Sequence, residues 1–147
     1  MQKSIQELFH RLCEGEFEIT SPQDQRYNCV AWAADDVRRW WWPAESPFAF
    51  WPVIKREESI SSFIEAFEIL GYELADSGGH EKGFEKVAIF VSTDQVPTHM
   101  ARQLPDGSWT SKLGCLEDIA HIDVNAVGGV EYGEVAAFLR RRKPTSA

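Results

Sequence analysis

The sequence lacks any apolar run approaching the roughly 20 residues that a membrane-spanning helix requires. Its first ten residues lack the basic-then-apolar pattern of a secretory signal and favour an amphipathic helix. It has only three cysteines, an odd number whose spacing matches neither a disulfide framework nor a metal site. These absences predict a cytoplasmic protein without membrane contact, in which Cys13 and Cys115 are small buried residues.

Basic side chains are also scarce. Fifteen Lys and Arg residues stand against twenty-three Asp and Glu, giving a net charge of −8. Nucleic-acid binding requires clustered cations, and the single dense cluster, at 140–143, is expected to be a solvated chain end. The sequence therefore predicts no nucleic-acid partner. It also offers no cofactor motif, and Cys29, His99 and His121 lack the close ligand pair typical of a metal site.

The length of 147 residues and a hydrophobic fraction of 44% predict one domain over residues 1–147. Helical periodicity precedes strand periodicity along the chain, which indicates an α+β domain with an antiparallel sheet. Three helices are predicted, over 3–13, from Asn28 to about Trp40, and from Ser59 to Leu70 with Gly71 as cap. Strands are predicted over 86–91, 98–104 and 109–113, with a hairpin at 104–107 and a loop or short helix at 116–121. Residues 133–140 could form a strand or a helix, and we favour the strand.

Aromatic and proline residues concentrate between residues 40 and 53. Three prolines there predict an irregular loop that could fold over a site. The run Trp40–Trp42 is expected to contribute to core packing, whereas large exposed aromatic groups would indicate a partner surface.

One cysteine stands where an extended segment is predicted to become a helix, in Tyr27-Asn28-Cys29-Val30-Ala31-Trp32. Unpaired N–H groups at a helix start favour a thiolate, so Cys29 is a candidate nucleophile. His99, within a predicted strand, is the candidate base, with His121 in reserve. A buried structural role is nevertheless the commoner one for a lone cysteine in an apolar helix.

A catalytic imidazole needs a third polar group that fixes its orientation. Ser111 is the candidate, and it shares a face with His99 only if the intervening hairpin loop has an odd number of residues. Asp118 is the carboxylate alternative. The backbone of Cys29 with Gln23, or Gln25 in its place, could bind an oxyanion.

The segments around Cys29, Pro97-Thr98-His99 and Trp109-Thr110-Ser111-Lys112-Leu113-Gly114 resemble a family of small uncharacterised bacterial proteins, from about residue 20 to residue 142. More distantly, they resemble papain-like NlpC-type and CHAP-type amidases and peptidases. The resemblance implies N-terminal helices packed on a small antiparallel sheet. It also implies Cys29 as nucleophile, His99 as base, Ser111 as the orienting residue, and Gln23 and Trp32 as substrate-binding residues.

Two hypotheses follow. The first is a thiol hydrolase of the amidase or peptidase type, which acts on a peptide or another amide-containing substrate through an acyl-enzyme. The second is a non-catalytic acidic binding protein, either immunity-type or an inactive papain-like scaffold, with a basic protein as partner. An open Cys29 beside His99 favours the first, and a sealed Cys29 favours the second.

Overall fold

A computed structural model describes residues 17–21, 27–36, 38–44, 49–53, 56–112, 118–121, 124 and 133–143. The predicted helix over 3–13, together with Cys13, Gln23, Gln25 and Cys115, lies outside these ranges. No helix in the described ranges is long and apolar enough to cross a membrane.

The architecture is α+β, as predicted, with a sheet that is mostly antiparallel. Seven strands lie in the order β1-β8-β7-β6-β5-β9-β4, and all their pairings are antiparallel. They are β1 (Phe17–Ser21), β4 (Glu73–Ala75), β5 (Phe84–Val91), β6 (Pro97–Gln103), β7 (Trp109–Lys112), β8 (Asp118–His121) and β9 (Glu134–Arg142). The short strands β2 (Trp40–Trp41) and β3 (Ala49–Phe50) form a separate parallel pair. Two helices, α1 (Cys29–Ala33) and α2 (Ile60–Ile69), accompany the sheet.

Helix α1 begins at Cys29 because Asn28 caps it. The Asn28 Oδ1 atom accepts hydrogen bonds from the backbone N–H groups of Ala31 and Trp41, both at 3.1 Å. Its Nδ2 atom donates to the carbonyl oxygen of Trp41 at 2.7 Å. One buried side chain therefore both starts the helix and binds strand β2 to it.

The prediction that this helix continues to about Trp40 is wrong, because α1 ends at Ala33. Asp35 follows with a φ of +64°, a left-handed conformation that interrupts a helix. The Asp36 carboxylate then accepts hydrogen bonds from the Arg38 backbone and from the Trp41 indole, at 2.8 and 2.9 Å. These local bonds, with the Asn28 contacts, turn the chain back into β2.

The main core lies between the helices and one face of the sheet. Ser59 caps the start of helix α2, where its Oγ accepts from the Ser62 N–H at 3.2 Å, and the predicted cap Gly71 follows the end of the helix with a φ of +95°. Its buried residues Phe63 and Phe67 join those of α1 and of the sheet. Trp41 also belongs to this core, as predicted for the run Trp40–Trp42, and so does Trp51.

Two loop predictions need correction. The segment 116–121, expected to be a loop or short helix, contains β8, because residues 118–121 pair with both β1 and β7. The irregular segment 43–53 contains β3, which pairs with β2. The tight hairpin at 104–107 is confirmed: the Gly107 N–H donates to the Leu104 carbonyl at 2.9 Å, with a φ of +92° at Gly107.

Replacing Asn28 by Ala is expected to lower the free energy of unfolding by about 3 kcal/mol, because the buried N–H and carbonyl groups of Trp41 lose their partner. Ser59→Ala, which removes only the cap of α2, should cost about 1 kcal/mol. Urea denaturation of both variants measures the difference. Equal losses in the two variants would contradict the dual role of Asn28.

Candidate functional site

Cys29 occupies the predicted position at the start of a helix, but its thiol is sealed. The residue is 5% exposed and belongs to the main core. Burial raises the pKa of the thiol from 9.0 to about 11, although backbone hydrogen bonds with Met100, Val30 and Cys29 itself and the charge of Lys112 act in the opposite direction. A helix of five residues supplies little dipole, so desolvation prevails.

His99 lies in the middle of the sheet, on strand β6, and is fully buried. Its Nε2 atom lies 3.0 Å from the Oγ of Ser111 on β7. Strands β6 and β7 pair Gln103 with Trp109, so the loop between them has an odd number of residues. This register places Ser111 on the His99 face, as the predicted orienting role of Ser111 requires.

The thiol and the imidazole do not meet, because they belong to opposite faces of the sheet. Side chains alternate along β6, so His99 and Met100 project in opposite directions. Met100 packs in the main core with Cys29, whereas His99 forms an edge-to-face contact with Phe90, at 5.1 Å between ring centres.

The His99 face instead holds a chain of three polar side chains. The Ser111 hydroxyl also lies 2.8 Å from the Nε2 atom of His121 on β8, and all three residues are buried. A hydroxyl donates only one hydrogen bond, so at most one imidazole Nε2 accepts from Ser111 and at least one donates to it. Burial, and secondarily the nearby His121, hold the pKa of His99 well below its usual value.

Sequence reasoning kept His121 only as a reserve base and missed its role in this chain. A strand over 118–121 would have indicated by alternation that His121 shares a face with Ile119. The register that sets His121 beside Ser111 is a tertiary property, since Trp109 pairs with His121 between β7 and β8. The carboxylate alternative, Asp118, starts β8 and is paired with Lys112 in the same register.

Lys112 was the second feature that sequence reasoning missed. Its side chain is fully buried on the helix-facing side of the sheet. The ammonium nitrogen lies 5.3 Å from the ring centre of Tyr27, a distance compatible with a cation–π contact. Because side chains alternate along a strand, the predicted strand over 109–113 already indicated that Lys112 and Ser111 project to opposite faces of the sheet. The Lys112 face is the one that α1 covers.

Trp32, predicted to bind substrate, is half-buried and held by the protein itself. Its indole Nε1 donates to the Oγ1 of Thr110 at 3.0 Å, and its ring stacks on Tyr27 with 5.8 Å between ring centres. The guanidinium of Arg102 lies 4.8 Å from the same indole. The indole N–H and the ring of Trp32 therefore already have partners within the protein.

Within the described ranges, no group of three or more His, Cys, Asp or Glu residues could hold a metal ion. The cluster of His99, Ser111 and His121 includes a serine, which is a poor ligand for the metals that imidazole prefers. Within those ranges, therefore, the structure offers hydrogen-bonding chemistry at this cluster.

Residues 18–140 match a family described as a domain of unknown function, DUF7689. The chain belongs to this family. The match agrees with the predicted membership of an uncharacterised family and covers the sheet from β1 into β9. No curated protein and no solved structure is significantly similar to the chain.

Stability should depend on pH through His99. Because its pKa is lowered on folding, the unfolded chain binds more protons, and stability present above the unfolded pKa is lost as the pH falls below it. We expect the free energy of unfolding to fall by up to about 1.4 kcal/mol per pH unit below about pH 6.5. Urea denaturation at several pH values measures this slope.

The matched variants are His99→Gln, which removes the titrating group, and His80→Gln, at an exposed histidine. The slope should diminish in His99→Gln and persist in His80→Gln. Equal slopes in the two variants would refute the assignment to His99.

Proposed function

We propose that this domain is a non-catalytic binding protein whose acidic surface binds a basic protein partner. The observation that carries the proposal is the environment of Cys29. A sealed thiol with a raised pKa, on the opposite sheet face from His99, has neither an activating base nor access to a substrate.

The distribution of charge supports a basic partner. Most described Arg residues are already paired with carboxylates, as in the Arg102–Asp35 pair at 3.0 Å and the Arg140–Glu73 pair at 3.0 Å. Several exposed carboxylates form no hydrogen bond or ion pair within the described ranges: Glu65, Glu68, Asp76 and Asp94. Five cations also form no ion pair within those ranges: Arg38, Arg56, Lys82, Arg142 and Lys143. The excess of negative charge therefore rests on the net charge of −8, which accelerates encounter with a cationic protein.

The tryptophans contribute little to such a surface. Trp41, Trp51 and Trp109 are buried, and Trp32, Trp40 and Trp42 are half-buried. Partner binding through large aromatic anchors, which the sequence alone made attractive, is therefore less well supported than binding through charge. The proposed interaction should accordingly weaken with ionic strength.

The thiol hydrolase is the second candidate, and two observations favour it. Cys29 begins a helix, and the Nε2 atom of His99 lies 3.0 Å from the Ser111 hydroxyl, as a papain-like site would require. A papain-like hydrolase would also need the Cys29 thiol to reach the His99 imidazole. That step requires a rearrangement of α1 relative to β6.

Alkylation separates the two candidates. In a chain carrying Cys13→Ser and Cys115→Ser, iodoacetamide should react with Cys29 far more slowly in the native protein than in urea. A pKa raised from 9.0 to about 11 alone lowers the thiolate population near neutral pH about a hundredfold, and burial restricts access further. Mass spectrometry of timed samples measures both rates.

A native Cys29 that reacts as fast as the unfolded one, or faster, would overturn the non-catalytic assignment. His99→Gln provides the matched control. It should leave the native rate unchanged here, whereas an activated Cys–His pair would lose reactivity.

The binding proposal predicts a partner that elutes with salt. The immobilised chain should capture a basic protein whose complex, rebuilt from purified components, weakens steeply as ionic strength rises. Cys29→Ala should bind it with the same Kd, since no covalent step is involved. Failure to rebuild any complex, or loss of binding in Cys29→Ala, would count against the proposal.

A further inference from the structure

The outer edge of strand β9 is only partly covered. Strand β5 pairs along the inner edge of β9 from Glu134 to Arg142. On the outer edge, β4 pairs only with Phe138–Arg140. Among the strands that the structure describes, none pairs with the outer edge of the preceding stretch, 134–137.

A cavity of about 540 Å³ lies beside this stretch. It is lined by Ala75 and Asp76, where β4 ends, and by residues 134–138 of β9. Ala136 is exposed, and Val135 and Ala137 are partly exposed, so the side chains at the open edge are small. A strand edge with small side chains leaves room for another backbone to approach.

We propose that this open edge is the docking site for the basic partner, which adds an extended segment antiparallel to β9 and in line with β4. The proposal rests on the proposed function and names where the partner binds. Backbone hydrogen bonds to residues 134–137 would supply affinity. The partner segment would carry small residues toward the sheet and Lys or Arg beside the carboxylates.

Charge favours this occupant over a second copy of the chain. Asp76, at one end of the cavity, is exposed and forms no ion pair within the described ranges. A second copy paired through the same edge would bring its own Asp76 to a site that already has one. Like charges on neighbouring strands are destabilising, whereas a cationic segment is attracted.

Gly133 fixes the position at which this edge begins. Its φ is +76°, and a Cβ atom there would lie 1.9 Å from the carbonyl oxygen of Val91. Only glycine permits so close an approach of β9 to β5. The docking edge therefore starts at a fixed position on a strand that β5 already orders. The protein side of the site thus loses little conformational entropy when a segment binds.

The probe is a synthetic peptide of about ten residues that alternates Lys and Val, a length and pattern suited to one strand. Three peptides are compared by isothermal titration: this one, a Glu–Val counterpart, and a Lys–Val peptide with alternate backbone nitrogens methylated. The methylated peptide keeps the charge but loses the hydrogen bonds of strand pairing. We expect it to bind about tenfold more weakly, and the Glu–Val peptide not to bind.

Variants of the protein locate the site. Asp76→Lys and Ala136→Arg each place a cation in the cavity and should weaken the Lys–Val peptide about tenfold. Glu65→Lys, at an exposed carboxylate of α2 that does not line the cavity, introduces the same cation and serves as the control. Hydrogen exchange with bound peptide should slow at residues 134–137.

Several outcomes would overturn the docking proposal. These are equal binding of the methylated peptide, equal weakening by Glu65→Lys and Asp76→Lys, or no binding of the Lys–Val peptide to a chain that still binds its purified basic partner. A chain that binds neither peptide nor partner would instead overturn the proposed function itself. Sedimentation as a dimer that Asp76→Lys strengthens and Ala136→Arg abolishes would identify a second copy as the occupant.

Discussion

Successive residues of β6 project to opposite faces of the sheet, and this constraint determines which side chains can interact. Met100 faces the helices, so its side of the sheet forms an apolar core that includes Cys29. His99 faces the other way, where the Ser111 hydroxyl lies between its Nε2 atom and that of His121. Because the sheet lies between Cys29 and His99, the thiol and the imidazole do not contact each other. The binding that we propose therefore concerns the surface and the open strand edge.

Much of the framework was predictable because local signals determine it. Ser59 and Gly71 bound α2, and Gly107 supplies the left-handed conformation that closes the β6–β7 hairpin. The start of α1 at Cys29 follows similarly from the cap at Asn28. The proximity of His99 and Ser111 depends on one condition, namely that the hairpin loop has an odd number of residues. The structure meets this condition.

The remaining features depend on contacts between distant residues, which periodicity does not encode. Helix α1 is short because Trp41 bonds back to Asn28 and Asp36, whereas the apolar pattern alone favours a longer helix. Strand β8 forms because two neighbours flank it. The sequence predicted correctly that Cys29 begins a helix and that His99 lies on a strand. The sheet face that α1 covers is a tertiary property, which the sequence did not predict. Burial of the thiol, and hence the direction of its pKa shift, follows from that choice.

The Ser111 hydroxyl joins two imidazoles through a single proton, which couples their tautomers. If that proton points toward His99, the ring of His121 must be the donor, and reversing it exchanges the two roles. The hydrogen positions of these side chains are therefore set jointly across three neighbouring strands, β6, β7 and β8.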